Sequence, residues 1–150
     1  MKVVIQRVVR ASVDIDNVRF SEINAGLLIL LGVELADNDE DIDWLCSKIA
    51  KLRLFDDQDG VMNLSVHEKN GEVLVVSQFT LHAKTKKGNR PSYIQAAPAE
   101  FASLMFEKFV NKMEMELAKK VSTGKFGAMM QVTLINDGPV TIIIDSKNRE

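Results

Sequence analysis

Leu27-Leu28-Ile29-Leu30-Leu31-Gly32-Val33 is an unbroken apolar run, and its reading decides the fold class. A strand with one wet face alternates polar and apolar residues, whereas a run without alternation, set off by the Ala25-Gly26 break, is a strand buried on both faces. Such a strand is expected at the centre of a sheet. Seven residues are also far short of the roughly 20 needed to span a bilayer, and no charged-apolar-small pattern opens the chain, so neither a membrane anchor nor export is expected.

On the N-terminal side of that run, residues 2–9 are rich in Val and Ile, residues 12–16 alternate, and Asp16-Asn17 turns the chain into a further strand over 18–23. On the C-terminal side, Asp37 with Glu40 three residues later signals the start of a helix. Ile42, Leu45, Cys46, Ile49 and Leu52 recur behind it at three- and four-residue spacing, with Trp44 at the edge of the stripe. Asp56-Asp57-Gln58-Asp59-Gly60 lacks the ligand spacing and closing Glu of a calcium loop and is read as a turn. Asn70-Gly71 marks a hairpin turn, with a Val-rich strand, Glu72 to Phe79, after it.

Pro98 opens a long helix, with Glu100 in its first turn and Phe101, Leu104, Met105, Phe109, Met113 and Leu117 on its buried face. Two strands, around 129–135 and 140–145, are joined by Asn136-Asp137-Gly138-Pro139. With no repeat or linker, residues 1–150 read as one mixed α/β domain, a mixed sheet packed on a second sheet with helices covering one side.

A chain of 150 residues buries roughly 68–70% of its unfolded surface, and with 46% hydrophobic and 27% charged residues it is neither disordered nor fibrous. The lone Cys46 cannot form an internal disulfide, which suits a reducing compartment, the cytoplasm. A net charge of −2 gives no whole-molecule attraction for nucleic acid, so any RNA contact must be local. Lys84, Lys86, Lys87 and Arg90 cluster without an acidic residue among them; either they form a solvated loop, or they meet phosphate.

Catalytic inventories come up short. His67 and His82 are the only histidines and stand at no metal-ligand spacing to each other or to Cys46, so no metal is expected. His67-Glu68 is followed by Gly71 where a metalloprotease helix needs a second His. Neither a phosphate-cradling loop ending in Gly-Lys-Ser/Thr nor Gly-x-Gly-x-x-Gly occurs, so no nucleotide cofactor is expected. A Ser-His-Asp set would assemble only in space and stays open, although Ser77 lacks the Gly-x-Ser-x-Gly elbow.

Two polar segments interrupt apolar strands. Ser77-Gln78-Phe79-Thr80-Leu81 is either a strand end whose hydroxyls satisfy local backbone or an oxyanion site built of N–H groups and the Gln78 amide. Asn136-Asp137-Gly138-Pro139-Val140-Thr141, taken alone, is an ordinary Gly-Pro turn, for which trans is the default.

Together these two segments, with Val4-Ile5-Gln6-Arg7-Val8, Ala25-Gly26-Leu27-Leu28 and Met62-Asn63-Leu64, make the whole chain similar to the D-aminoacyl-tRNA deacylase family, also called D-tyrosyl-tRNA deacylases. The resemblance implies a three-layer β/β/α sandwich with a partly barrel-like mixed sheet, assembled as a homodimer with active sites at the interface. It implies hydrolysis of the ester of D-aminoacyl-tRNA, and of glycine mischarged on other tRNAs, with the tRNA acceptor end as partner and no cofactor. It assigns catalysis to Ser77, Gln78, Phe79 and Thr80. Substrate binding would fall to Asn136, Gly138, Pro139 and Met129, with Gly138-Pro139 cis and reaching into the partner's site and Arg7 holding that loop.

An aminoacyl ester needs little activation, so backbone donors can suffice where no general base is evident. Thr80 as a covalent nucleophile is the competing route. A noncatalytic RNA-binding module on the same fold, or a general esterase, are the competing functions.

Overall fold

The computed structural model describes residues 1–150 throughout. Its elements run β1 (Lys2–Ile15), β2 (Val18–Ile23), β3 (Gly26–Gly32), α1 (Asp39–Lys51), β4 (Arg53–Asp56), β5 (Met62–Ser65), β6 (Glu72–Ser77), a 3-10 turn (Phe79–His82), α2 (Ala99–Leu117), β7 (Ser122–Thr123) and β8 (Gln131–Asp145). The six-stranded sheet has the order β2-β1-β3-β6-β7, with β8 also paired to β1, and β4-β5 form a small separate sheet.

β1 organises the sheet because its two halves face different neighbours. Residues 2–8 pair with β3, residues 11–15 pair with β2, and β8 runs along the whole of the other edge. Register shifts near Val8 and Val13 bend the strand, as bulges do, and the second half folds over the first. The Ser21 hydroxyl donates to the Thr123 carbonyl at 2.7 Å, tying β2 back to the β7 edge and nearly closing a barrel.

The central position of β3 explains its unbroken run. Leu27, Ile29 and Leu31 enter one core, shared with Leu45, Cys46 and Ile49 of α1 and with Met105, Phe109 and Met113 of α2. Leu28 and Leu30 face the interior of the folded-over sheet, among Val8, Val13, Leu74 and Val76. Two cores on two faces of one strand produce the three layers.

Several expectations are corrected. The strands expected over 2–9 and 12–16 are one bent strand, Lys2–Ile15, and those expected around 129–135 and 140–145 are one, Gln131–Asp145, because β1 and β8 pair along each other's length. Asn70-Gly71 forms no hairpin: β5 pairs with β4, while β6 pairs parallel with β3 from Gly26↔Glu72 to Leu31↔Ser77. The dipeptide fixes a local turn, but Val73 to Val76 need a site buried on both faces, and only the sheet centre supplies it.

The cap of α1 is Asn38, in a box with Asp41, and not Asp37, whose carboxylate receives the Met1 ammonium and the Glu34 N–H. Burial works against ionisation of Asp41, yet hydrogen bonds from Lys147, Ser146 and Asn38 hold its carboxyl below the usual range. On α2 the buried face carries Ala102 and Phe106, whereas Leu104 is exposed and Phe101 only half-buried. Pro98 caps that helix from outside, and no helix is long and apolar enough to cross a membrane.

Candidate active site

The last rung of the β3–β6 ladder is the Gln78 N–H donating to the Leu31 carbonyl at 2.7 Å, after which the chain leaves the sheet in the 3-10 turn. Gly32 seats that turn: a Cβ there would lie 3.0 Å from the Gln78 carbonyl oxygen, from Leu81 Cβ and from the His82 ring. The Phe79 and Thr80 N–H groups head the turn, where no carbonyl of its own precedes them, and they donate to no side chain or loop carbonyl.

A cavity of about 520 Å³ opens beside this turn, within the range of small-ligand sites. Leu31, Val33 and Val76 line it from the sheet, Ala97, Ala102 and Phe106 from α2 and the residues before it, and Phe126 to Met130 from the segment before β8. Its polar side chains are Ser77 and Gln78, both at the turn end. Phe126 packs on Phe106 with ring centroids 5.9 Å apart, and Phe79 meets Tyr93 edge to face at 5.0 Å.

Side-chain chemistry at this end is sparse. The Gln78 amide donates to the Thr80 hydroxyl oxygen at 2.5 Å, and no acid or base joins them. His82 is buried on the same turn, but its ring nitrogens have no hydrogen-bond partner, so it does not reach the Thr80 hydroxyl. Cys46 lies in the helix-side core, and burial pushes its thiol up, away from nucleophilic duty. No group of His, Cys, Asp and Glu is placed to hold a metal ion.

Asn136 to Pro139 sit elsewhere. Asp137 to Val140 bulge from β8 opposite Arg7 alone, since Gln6 pairs with Thr141 and Val8 with Asn136. The Gly138-Pro139 bond is cis, and Asn136, Gly138 and Pro139 are all exposed. Gly138 has φ of 129°, where an L side chain is strained, and a Cβ would press Val140 at 2.9 Å. Arg7 is buried and forked: Nε donates to the Asp137 carbonyl at 3.0 Å and one terminal nitrogen to the Leu54 carbonyl at 2.7 Å, with Asp56 at 3.4 Å.

Within one chain these two motifs do not meet. Arg7 pairs with Leu27 and Leu27 with Val73, four residues before Ser77, so the bulge lies three strand steps away and four residues back. At ~4.8 Å per step and ~3.3 Å per residue, the separation is about 20 Å along the sheet. Met129, 90% exposed, does stand at the cavity. Lys84, Lys86, Lys87 and Arg90 are exposed on the loop that follows the turn. The cavity walls at Ala102, Phe106 and Phe126 were not foreseen, because an apolar residue on a helix or loop reads simply as core.

The fold and cavity thus define a class of mixed α/β domain that offers backbone donors, rather than a charged catalytic set, to a bound group. The chain belongs to the D-Tyr-tRNA(Tyr) deacylase family, whose model matches residues 4–145. It is 64% identical to the D-aminoacyl-tRNA deacylase of Flavobacterium psychrophilum and 59% identical to that of Bacteroides fragilis, each over 150 residues and 100% of both chains. A solved structure, named c-Myc DNA Unwinding Element Binding Protein, shares 40% identity at a TM-score of 0.91, covering 97% of this chain and 98% of that one. A probable eukaryotic D-amino acid tRNA deacylase, 15% identical with a TM-score of 0.83 over 95% and 97% of the chains, shares the fold.

Proposed function

We propose that this chain is a cytoplasmic homodimeric hydrolase that cleaves the ester of D-aminoacyl-tRNA to free D-amino acid and tRNA, a chiral proofreading step in translation. The observation that carries this reading is the turn at the polar end of an apolar cavity, headed by the Phe79 and Thr80 N–H groups, which donate to no side chain or loop carbonyl, with no general base beside them. The ester carbonyl oxygen accepts from those N–H groups while water attacks the carbon and gives up a proton. The tetrahedral intermediate then collapses, the bond to the ribose oxygen breaks, and that oxygen takes up the proton. Gln78 orients the Thr80 hydroxyl, which lacks the base a covalent nucleophile requires.

Chirality is read by the partner's Gly138 and Pro139, whose carbonyls accept from the substrate ammonium and leave no room for an L side chain. Exposure of the bulge and its distance from its own turn support delivery across a dimer interface, as does the long, otherwise unpaired edge of β8 with Ile135 and Ile143 exposed on it. Glycine, with no side chain to reject, is also accepted. Likeness to a protein named for binding a DNA unwinding element favours, as a second reading, a module that binds nucleic acid without cleaving it.

Incubating the purified chain with D- and L-aminoacyl-tRNA separates these readings. Release of the D-amino acid alone is expected. Binding without release supports the module, and turnover of simple esters regardless of tRNA supports a general esterase. In single turnover Thr80→Ala retains measurable activity; complete loss, with an acyl-enzyme trapped in the parent, overturns the noncovalent route.

A further inference from the structure

Carboxylates are absent from two long segments of this chain. All 21 Asp and Glu residues lie outside residues 73–99 and 117–136, although the molecule as a whole carries a net charge of −2. Those two segments supply the turn, its following loop and the Phe126 to Met130 wall of the cavity.

Cation pairing shows the same asymmetry. Of 19 Lys and Arg side chains, seven have neither a carboxylate, a hydrogen bond nor an aromatic ring as partner. Arg10 and Lys69 lie elsewhere in the sequence; the other five sit on two segments that also supply residues lining the cavity. Lys84, Lys86, Lys87 and Arg90 lie on the loop between Phe79 and Ala96, both of which line the cavity, and Lys125 directly precedes Phe126, which also lines it. A short turn fixes Lys125 there: the Ala128 N–H donates to its carbonyl at 3.2 Å, and Gly127, at φ of 76°, supplies the left-handed residue. Phe126 thereby packs on Phe106 in the cavity wall while Lys125 is exposed beside it.

From the convergence of these two unpaired cation-bearing loops on one cavity we infer that Lys125 is a phosphate-binding residue, which with the Lys84 to Arg90 loop grips the single-stranded 3′ end of the RNA. The inference rests on the proposed deacylase reading. The terminal nucleoside occupies the cavity, and the phosphates preceding it run along the two loops, whose own residues carry unpaired cations and no carboxylate. Lys125 acts on binding of the nucleic acid and takes no part in the chemical step.

The test compares the full-length chain with Lys125→Gln, Lys125→Arg and the control Lys69→Gln on two substrates, D-aminoacyl-tRNA and a D-aminoacyl ester of adenosine, which has no phosphate. Lys125→Gln should raise KM for the tRNA about threefold at moderate salt and lower the slope of log KM against log salt by ~0.7, the contribution of one single-strand phosphate contact. kcat and hydrolysis of the adenosine ester should stay as in the parent, Lys125→Arg should restore the KM, and Lys69→Gln should change nothing.

An unaltered KM for tRNA, an equal loss on the adenosine ester, or the same loss in Lys69→Gln would overturn the role of Lys125. A parent chain that hydrolyses neither ester would instead remove the deacylase reading itself.

Discussion

Gly26 shows how much one missing side chain can hold in place. A Cβ at this position would stand 1.8 Å from the Glu72 carbonyl oxygen and 2.6 Å from the Glu72 nitrogen, at the first rung of the β3–β6 ladder. Backbone, unlike the end of a flexible side chain, cannot step aside, so the strands would have to separate where the parallel pairing begins. Gly26→Ala is therefore expected to destabilise the chain by about 3 kcal/mol or more, in the upper range for single substitutions. Urea unfolding checks it, and a midpoint within experimental error of the parent would mean the ladder can shift. Arg7 matters for the opposite reason, since its planar fork holds two carbonyls that lie 83 positions apart in sequence, Leu54 and Asp137.

At the scale of elements, the β8 bulge is the least regular and most consequential piece. Four residues stand opposite Arg7 alone, so the surplus backbone is extruded, and Arg7 anchors the extruded part to the end of β4. A lysine keeps the charge at position 7 but cannot span both carbonyls. Arg7→Lys should lower the ratio of D- to L-aminoacyl-tRNA hydrolysis roughly tenfold to a hundredfold, the scale of loss that follows when a positioning group shifts by about an ångström. Rates on the two substrates read this directly, and an unchanged ratio would show that the bulge holds its shape without Arg7.

For the whole molecule, the decisive geometry is the ~20 Å between the turn and the bulge of the same chain, a distance set by strand spacing and register. If each site is built from the turn of one protomer and the bulge of the other, two defective variants can repair each other. Gln78→Ala spoils the turn and Gly138→Ala spoils the bulge, so each homodimer lacks both sites. A mixed dimer has one site with both halves intact. Random reassembly of equal amounts should then recover about a quarter of the parent activity. Mixtures no more active than the separate variants would place both halves of the site in one protomer.

Local chemistry made part of this protein legible from its sequence alone. The apolar run at 27–33 required a strand buried on both faces, Asp16-Asn17 required a turn, the spacing of Ile42, Leu45, Cys46 and Ile49 required an amphipathic helix, and the two polar motifs identified the family. Those features depend on neighbours within a few residues, or on an intact motif, and a chain carries such information openly.

Tertiary structure alone decided that Asn70-Gly71 leads to parallel pairing, that Asn38 displaces Asp37 as helix cap, and that 2–15 and 131–145 are each one bent strand. It also brought Phe126, next to Lys125, and Phe79, before the Lys84 to Arg90 loop, to one cavity and set the Gly138-Pro139 bulge away from its own Ser77 to Thr80 turn. Each of these depends on which distant segment wins a shared edge or a shared partner, a competition settled by burial over the whole chain and invisible in any short window of it.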